Sequence, residues 1–440
     1  MATNDTFYGK TKIFVIKSLE VLEEIKDREG IPLSPPEEEI AISKNSTSSR
    51  FVQKPDFPHF IFNNWKKIKE LPEYEECKKC MYENKTINKH LGKLVGTVES
   101  AIRIDVDTCL QRLILKLILD SGSLKFNEKI FTEYFEKFRK FFANDKLQFR
   151  AFAPLECFTA DVNEIQLDDN LRVFKIPSHK LEELLKNSTD MPIPHFRMLS
   201  LVLSHGFGIE RIYETDKIIG ERTERHSNRP TQETMRIFDE VISALRLFKP
   251  GTVGYNFIQT KAVDWRPIGD GGISSGIFTY PYFGAYPLKE DEIVDFKDFF
   301  KKLKNKPKFL DIPHRYFNYA HTRERPEDKL IDYMIAFEGL FKVDVELKFR
   351  LSLMVAAFLG GNQKEKGSVF NLMRKAYNLR SKIVHGSSYS KNIEINEEKL
   401  SFGELVSLVE ELLRKSIEKS IETGQKPDQI LENCPESIFV

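Results

Sequence analysis

Two tryptophans, five cysteines and a net charge of +1 are small numbers for a chain of 440 residues. The near-zero charge excludes a generally basic nucleic-acid coat, so a nucleic-acid site would have to be a local patch. An odd, low cysteine count in a large chain fits a reducing cytoplasm better than a disulfide framework. The one Cys-x-x-C string is Cys77-Lys78-Lys79-Cys80, and the only further ligand nearby is His90. A zinc site needs two more ligands than the pair supplies, so chance spacing without metal or cofactor is the expectation. No apolar run approaches the length that spans a bilayer. Met1-Ala2-Thr3-Asn4-Asp5-Thr6 lacks the basic start and apolar core of a signal peptide, and the expected location is cytoplasmic. Phosphate-cradling glycine strings are missing too. The richest cluster, Gly269 to Gly276, matches neither Gly-x-Gly-x-x-Gly nor Gly-x4-Gly-Lys, and a strand-like run follows it, so it reads as a mobile loop.

What is present is the composition of a globular protein, 41% hydrophobic and 30% charged, in a chain long enough for two or three domains. Residues 8–62 read as mixed and loop-rich, with a strand over Lys12–Ile16 and an exposed polar loop over Ser43–Ser49. Helical periodicity then takes over. Phe131, Phe135, Phe138 and Phe142 recur at a 4-3-4 rhythm, which is core far more often than a base-stacking platform. Strand patterns follow over Gln148–Phe158, Ile165–Leu167, Leu171–Ile176, Phe207–Tyr213 and Thr252–Ile258. Ser178 would cap a short helix, and Thr231–Lys249 reads as a longer one. From Asp291 onward the pattern is helical, ending in a helix over Lys399–Thr423 whose Leu405-Leu408-Leu412 spacing suits a bundle or dimer face. The expected class is α+β: a mixed α/β N-terminal region followed by a C-terminal all-α bundle. The expected divisions are 1–146 (mostly helical), 147–290 (strand-containing), 291–424 (the helical domain) and 425–440 (a loosely held tail).

One stretch of that last domain carries chemistry. Tyr377-Asn378-Leu379-Arg380-Ser381-Lys382-Ile383-Val384-His385-Gly386 places an arginine and a histidine at the end of an amphipathic helix, with a glycine stop behind them. At roughly 100° per residue the two diverge by about 140°, so an ideal helix would not put them on one face. Arginine's long stem, or an unwound last turn, would close the gap. Lys366, Arg374, Lys375, Arg380, Lys382 and Lys391 fall in a segment without any Asp or Glu from Lys366 to Ile393, a setting suited to an anion. The bland reading pairs Arg380 with a carboxylate and lets His385 cap the helix. Glu338 falls near the apolar face of the helix that begins at Pro326, so its carboxylate needs a partner. Arg350 is the structural choice and Arg380 the functional one.

The segment from Pro326 to Gly386, with Ala336-Phe337-Glu338-Gly339-Leu340-Phe341, Phe349-Arg350-Leu351-Ser352 and the Arg380-x4-His385 ending, resembles the HEPN superfamily, in its ApeA-like abortive-infection branch. The resemblance covers about a seventh of the chain. It implies a small helical domain and a metal-independent endoribonuclease acting as a toxin or antiviral effector. It further implies an RNA substrate and a homodimer whose active sites form where protomers meet, with no cofactor; a membrane partner is not expected, given the absence of a spanning apolar run. On that reading Arg380 and His385 are catalytic, Tyr377, Asn378, Lys382 and Glu338 support or hold the substrate, and the N-terminal region senses a phage or cellular trigger. The alternative within the resemblance is a non-catalytic scaffold that binds nucleotide or protein.

Overall fold

The computed structural model describes residues 6–43, 46–97, 99, 101–177, 206–220, 230–263, 266–267, 271–275, 285–342, 347–390, 392–395 and 398–429. These contain both helices and sheets, an α+β composition, and none of the helices is long and apolar enough to cross a membrane. The chain falls into two compact units. One comprises Met1–Ala153, Asp168–Met235 and Phe257–Ser274, and the other Pro154–Leu167, Arg236–Asn256 and Ser275–Val440.

The chain opens with α1 (Thr6–Glu29). The strand expected over Lys12–Ile16 is therefore helix. Five residues of β-prone sequence are outvoted by a longer period, in which Phe14, Val15, Ser18, Leu19, Leu22 and Ile25 all bury one face. A hairpin follows, β1 (Glu37–Ser43) with β2 (Ser46–Val52) in antiparallel register. Much of the polar run Ser43–Ser49, expected as loop, thus pairs as strand. The helices α2 (Phe57–Lys69), α3 (Pro72–Glu83), α4 (Lys85–Asn88), α5 (Val106–Ser121) and α6 (Glu128–Ala143) build the rest of the first core, with β3 (Leu94–Gly96) and β4 (Ala101–Arg103) between α4 and α5. The α6 stripe of Phe131, Phe135, Phe138 and Phe142 is at most 2% exposed and packs in a chain of ring contacts, so it is core.

Next come β5 (Lys146–Pro154), β6 (Phe158–Ala160), β7 (Glu164–Asp168), β8 (Leu171–Lys175), β9 (Phe207–Asp216), β10 (Ile218–Ile219), α7 (Pro230–Phe248), β11 (Phe257–Ala262) and β12 (Gly271–Ser275). In the first unit β12, β11, β5, β9 and β8 lie side by side in that order, antiparallel where β11 meets β5 and β8 meets β9. The glycine cluster expected as a mobile loop instead supplies β12, because pairing with β11 satisfies its backbone groups. The strand expected over Thr252–Ile258 begins only at Phe257, and the helix expected at Ser178 lies outside the described residues.

The second unit gathers β13 (Tyr286–Leu288), which runs parallel to β6, and the helices α8 (Ile293–Lys304), α9 (Asp311–His321), α10 (Pro326–Phe341), α11 (Leu347–Leu359), α12 (Gln363–Val384) and α13 (Phe402–Thr423). A small antiparallel hairpin, β14 (Asn392–Ile395) and β15 (Glu398–Ser401), leads into α13. The middle of this bundle is α10, which packs against α9, α11, α12 and α13 and buries Leu330, Tyr333, Met334, Phe337, Leu340 and Phe341. The last helix starts at Phe402, later than expected, because Ser401 and Glu404 close a capping box there. It buries Leu405, Val406, Val409, Leu413 and Ile417, while Leu408 stays 39% exposed. The bundle-facing stripe is therefore rotated away from the Leu405-Leu408-Leu412 line.

Candidate functional site

Both ends of α12 are fixed by local chemistry. At its start, Asn362 accepts from the Glu365 N–H while the Glu365 carboxylate accepts from the Asn362 N–H. At its end, Gly386 takes the left-handed conformation (φ +68°), its N–H bonds Ile383 O at 3.1 Å, and the Ser387 N–H bonds Lys382 O at 2.8 Å. That is a Schellman closure, and a side chain at 386 would be strained. The His385 N–H still bonds Ser381 O at 3.1 Å, so the hydrogen-bond ladder reaches the C-cap, His385, where the backbone leaves the helix (φ −89°, ψ 5°). The helix therefore holds its ladder up to Val384, and only its C-cap, His385, departs from helical geometry.

The two side chains have different surroundings. Arg380 is half-buried, its guanidinium carbon lying 5.9 Å from the centre of the Tyr377 ring. It faces Glu338 on α10, with Arg380 Nη2 3.7 Å from Glu338 Oε1 and about a quarter of each side chain exposed. This separation is an ion pair in range but exceeds a hydrogen bond. Correspondingly, Arg380 Nε and Glu338 Oε1 are both buried atoms without a hydrogen-bond partner. Arg350, the structural partner expected for Glu338, is exposed in the first turn of α11, whose buried face is Leu351, Ser352, Val355 and Phe358. His385 and Lys382 are exposed, and Tyr377 and Asn378 are half-buried one turn earlier. Among the described residues no hydrogen bond or ion pair joins Arg380 to His385.

A second constellation, on α9, α10 and α13 with the end of α7, went unseen in the sequence. Glu410 accepts from the Tyr333 hydroxyl at 2.8 Å, pairs with Arg414 one turn on, and lies 3.5 Å from His321 Nε2. Burial pushes the Glu410 carboxyl up, yet its partners His321, Arg414 and Tyr333 outweigh that and hold it at about 2. Burial lowers His321 against the raising pull of Glu410, and its Nδ1–H donates to Phe317 O at 2.9 Å. Arg414 Nε donates to Arg246 O at 2.9 Å, and Arg246 donates through Nε and Nη2 to Val253 O at 3.1 and 2.9 Å. The only sequence signal was the i, i+4 Glu410–Arg414 spacing, with the arginine on the apolar side of the helix. A cavity of about 830 Å³ opens beside this cluster.

In the first unit, Cys77 is buried beside Thr11 Oγ1 (3.5 Å), and the His90 ring packs on Phe142 while its Nδ1 bonds Thr86 O at 2.8 Å. Among the described residues no three His, Cys, Asp or Glu side chains gather as a metal site.

Comparison with protein-family models, with curated proteins and with solved structures found no match to this chain.

Proposed function

We propose that the chain is a metal-independent endoribonuclease of HEPN type whose second unit carries the active residues. The observation that supports this reading is the under-engaged Arg380. Its partner Glu338 stands at 3.7 Å and its Nε is unbonded, so the guanidinium is held in place without its donors being exhausted. In the proposed reaction the RNA 2′-hydroxyl attacks the adjacent phosphorus and the 5′-oxygen leaves. The products are a 2′,3′-cyclic phosphate and a 5′-hydroxyl. His385 takes the 2′-hydroxyl proton or protonates the leaving oxygen, a contribution of roughly 10²- to 10⁴-fold. Arg380 stabilises charge on the pentacoordinate phosphate, where one oriented donor is worth on the order of 3 kcal/mol. Lys382 and Asn378 hold the substrate backbone. Because Arg380 and His385 sit about 140° apart on an ideal helix, two protomers would complete each other's site, as the resemblance implies. The biological reading that goes with it is a cytoplasmic antiviral or toxin effector, with the rest of the chain regulating the nuclease.

The test is cleavage of structured RNA by the purified full chain in the presence of EDTA. Wild type is expected to cut, and Arg380→Ala and His385→Ala each to lose about 10²-fold or more with folding unchanged. A wild type that binds but never cuts RNA would identify the non-catalytic scaffold instead. Mixing the two inactive variants tests the assembly. A shared site recovers cleavage in mixed dimers, whereas proven mixed dimers that stay inactive exclude pairing across protomers.

A further inference from the structure

The 830 Å³ cavity lies apart from Arg380 and His385, since none of its lining comes from α12. Its size is that of a small-molecule site. Six charged residues line it, three of each sign: Arg246, Lys329 and Arg414 against Glu404, Glu410 and Glu411. The acids are already engaged. Glu410 is taken by Arg414 and Tyr333, Glu411 pairs with Lys415 at 2.7 Å, and Glu404 accepts the Ser401 N–H at 2.7 Å. Two of the cations differ. Lys329 is half-buried, and neither it nor Arg246 makes an ion pair among the described residues.

Arg246 is the more telling of the two. It is only 4% exposed, yet its side-chain hydrogen bonds go to one neutral carbonyl, Val253 O. A guanidinium has five N–H donors, so three remain after those two bonds. Burial lowers Arg246 to about 10, which leaves it cationic at neutral pH. Asp239 and Glu410 act on that charge without a hydrogen bond or ion pair to the guanidinium among the described residues, so an anion entering the cavity would meet its remaining donors directly. The rest of the wall includes Val253, Leu400, Val406 and Leu408, and the 39% exposure of Leu408 marks apolar surface left uncovered at this face.

We propose that this cavity is a binding site for a small organic oxyanion, its charged head on Arg246 and Lys329 and its apolar body against Val253, Leu400, Val406 and Leu408. The head chemistry is shared by phosphate monoesters and carboxylates, and the two arms of the test separate them. Calorimetric titration of the full chain with phenyl phosphate, benzoate and phenol is expected to show binding of at least one anion and none of phenol. The preferred anion names the source. Lys329→Ala, on a half-buried residue outside the hydrogen-bonded cluster, should weaken that binding at least fivefold. Arg380→Ala should leave it unchanged, which separates this cavity from the proposed nuclease site. Failure of both anions to bind at millimolar concentration, equal binding of phenol, or binding that depends on Arg380 and not on Lys329 would each overturn the assignment.

Discussion

Glu410 and Glu338 are both carboxylates on helices of the second unit, and each faces an arginine. Glu410 has Arg414, a tyrosine hydroxyl and an imidazole on it at once. Glu338 has one arginine at 3.7 Å and a buried oxygen with no hydrogen bond. In the first cluster the carboxylate is held by groups from three helices. In the second, charge is placed without being consumed. Buried polar groups are usually satisfied, so the unsatisfied atoms of this pair need a reason, and the proposed phosphate ligand would supply one.

That contrast makes its largest prediction through stability. Glu410→Ala strands the 4%-exposed Arg414 without its carboxylate and leaves the Tyr333 hydroxyl unpaired. Removing one partner of a buried pair costs about 3–5 kcal/mol. Glu338→Ala breaks a longer pair that is about a quarter exposed, where water can take over, and should cost under about 1 kcal/mol. Denaturant unfolding of the two variants checks this. Equal losses would mean that Glu338–Arg380 is a structural brace, and would weaken the proposed site accordingly.

How much of this was readable in the sequence differs between the clusters for a physical reason. Arg380 lies on one helix with His385 and Gly386 closing its end, and helical period plus the glycine stop place them with no tertiary knowledge. The α6 phenylalanines were legible for the same reason. The Glu410 cluster draws on Arg246, 168 residues from Arg414, with His321 and Tyr333 between them, and no local pattern encodes that meeting. Glu338's partner failed likewise, since choosing Arg380 over Arg350 requires knowing how α11 is rotated. Short windows misled where a longer signal ruled, as in Lys12–Ile16. Gly271–Ser275 was misread because pairing with β11, absent from its own residues, makes it a strand.

A smaller effect separates buried histidine from buried carboxylate by pH. Burial, with Lys306 adding to it and Asp311 opposing, lowers His314 to about 4, and its Nε2 meets Ser243 Oγ at 2.5 Å. An unfolded imidazole titrates near ~6.5. The unfolded chain therefore takes up a proton that the folded one refuses, so His314 supports stability above pH ~6.5 and withdraws that support as pH falls toward about 4. His321 acts in the same direction. Glu410, held at about 2 against an unfolded value near ~4.3, loses its contribution only across that lower interval. Denaturant midpoints between pH 7 and 3 should thus fall in two stages. His314→Gln should shallow the first and leave the second, and a single stage unaffected by His314→Gln would refute the ordering.

The smallest prediction asks why the Arg380 region is loosely bonded. One explanation is local charge geometry on a firm helix; the other is a helix that is itself poorly held. The capping boxes distinguish them, because α12 and α13 carry the same device, Asn362 with Glu365 and Ser401 with Glu404. Loss of such a side-chain cap costs about 1 kcal/mol when the helix it begins is fully formed in the native state. If α12 is as firm as α13, Asn362→Ala and Ser401→Ala should lower unfolding free energy by the same amount, within a few tenths of a kcal/mol. If α12 is frayed, its cap has little to stabilise and Asn362→Ala should be nearly silent. Equal costs are expected, because the Schellman closure at Gly386 and the burial of Leu372, Met373, Ala376 and Leu379 pin the helix between its ends. On that outcome the unspent donors of Arg380 belong to a rigid support, the condition under which a guanidinium can meet a phosphate without first being ordered.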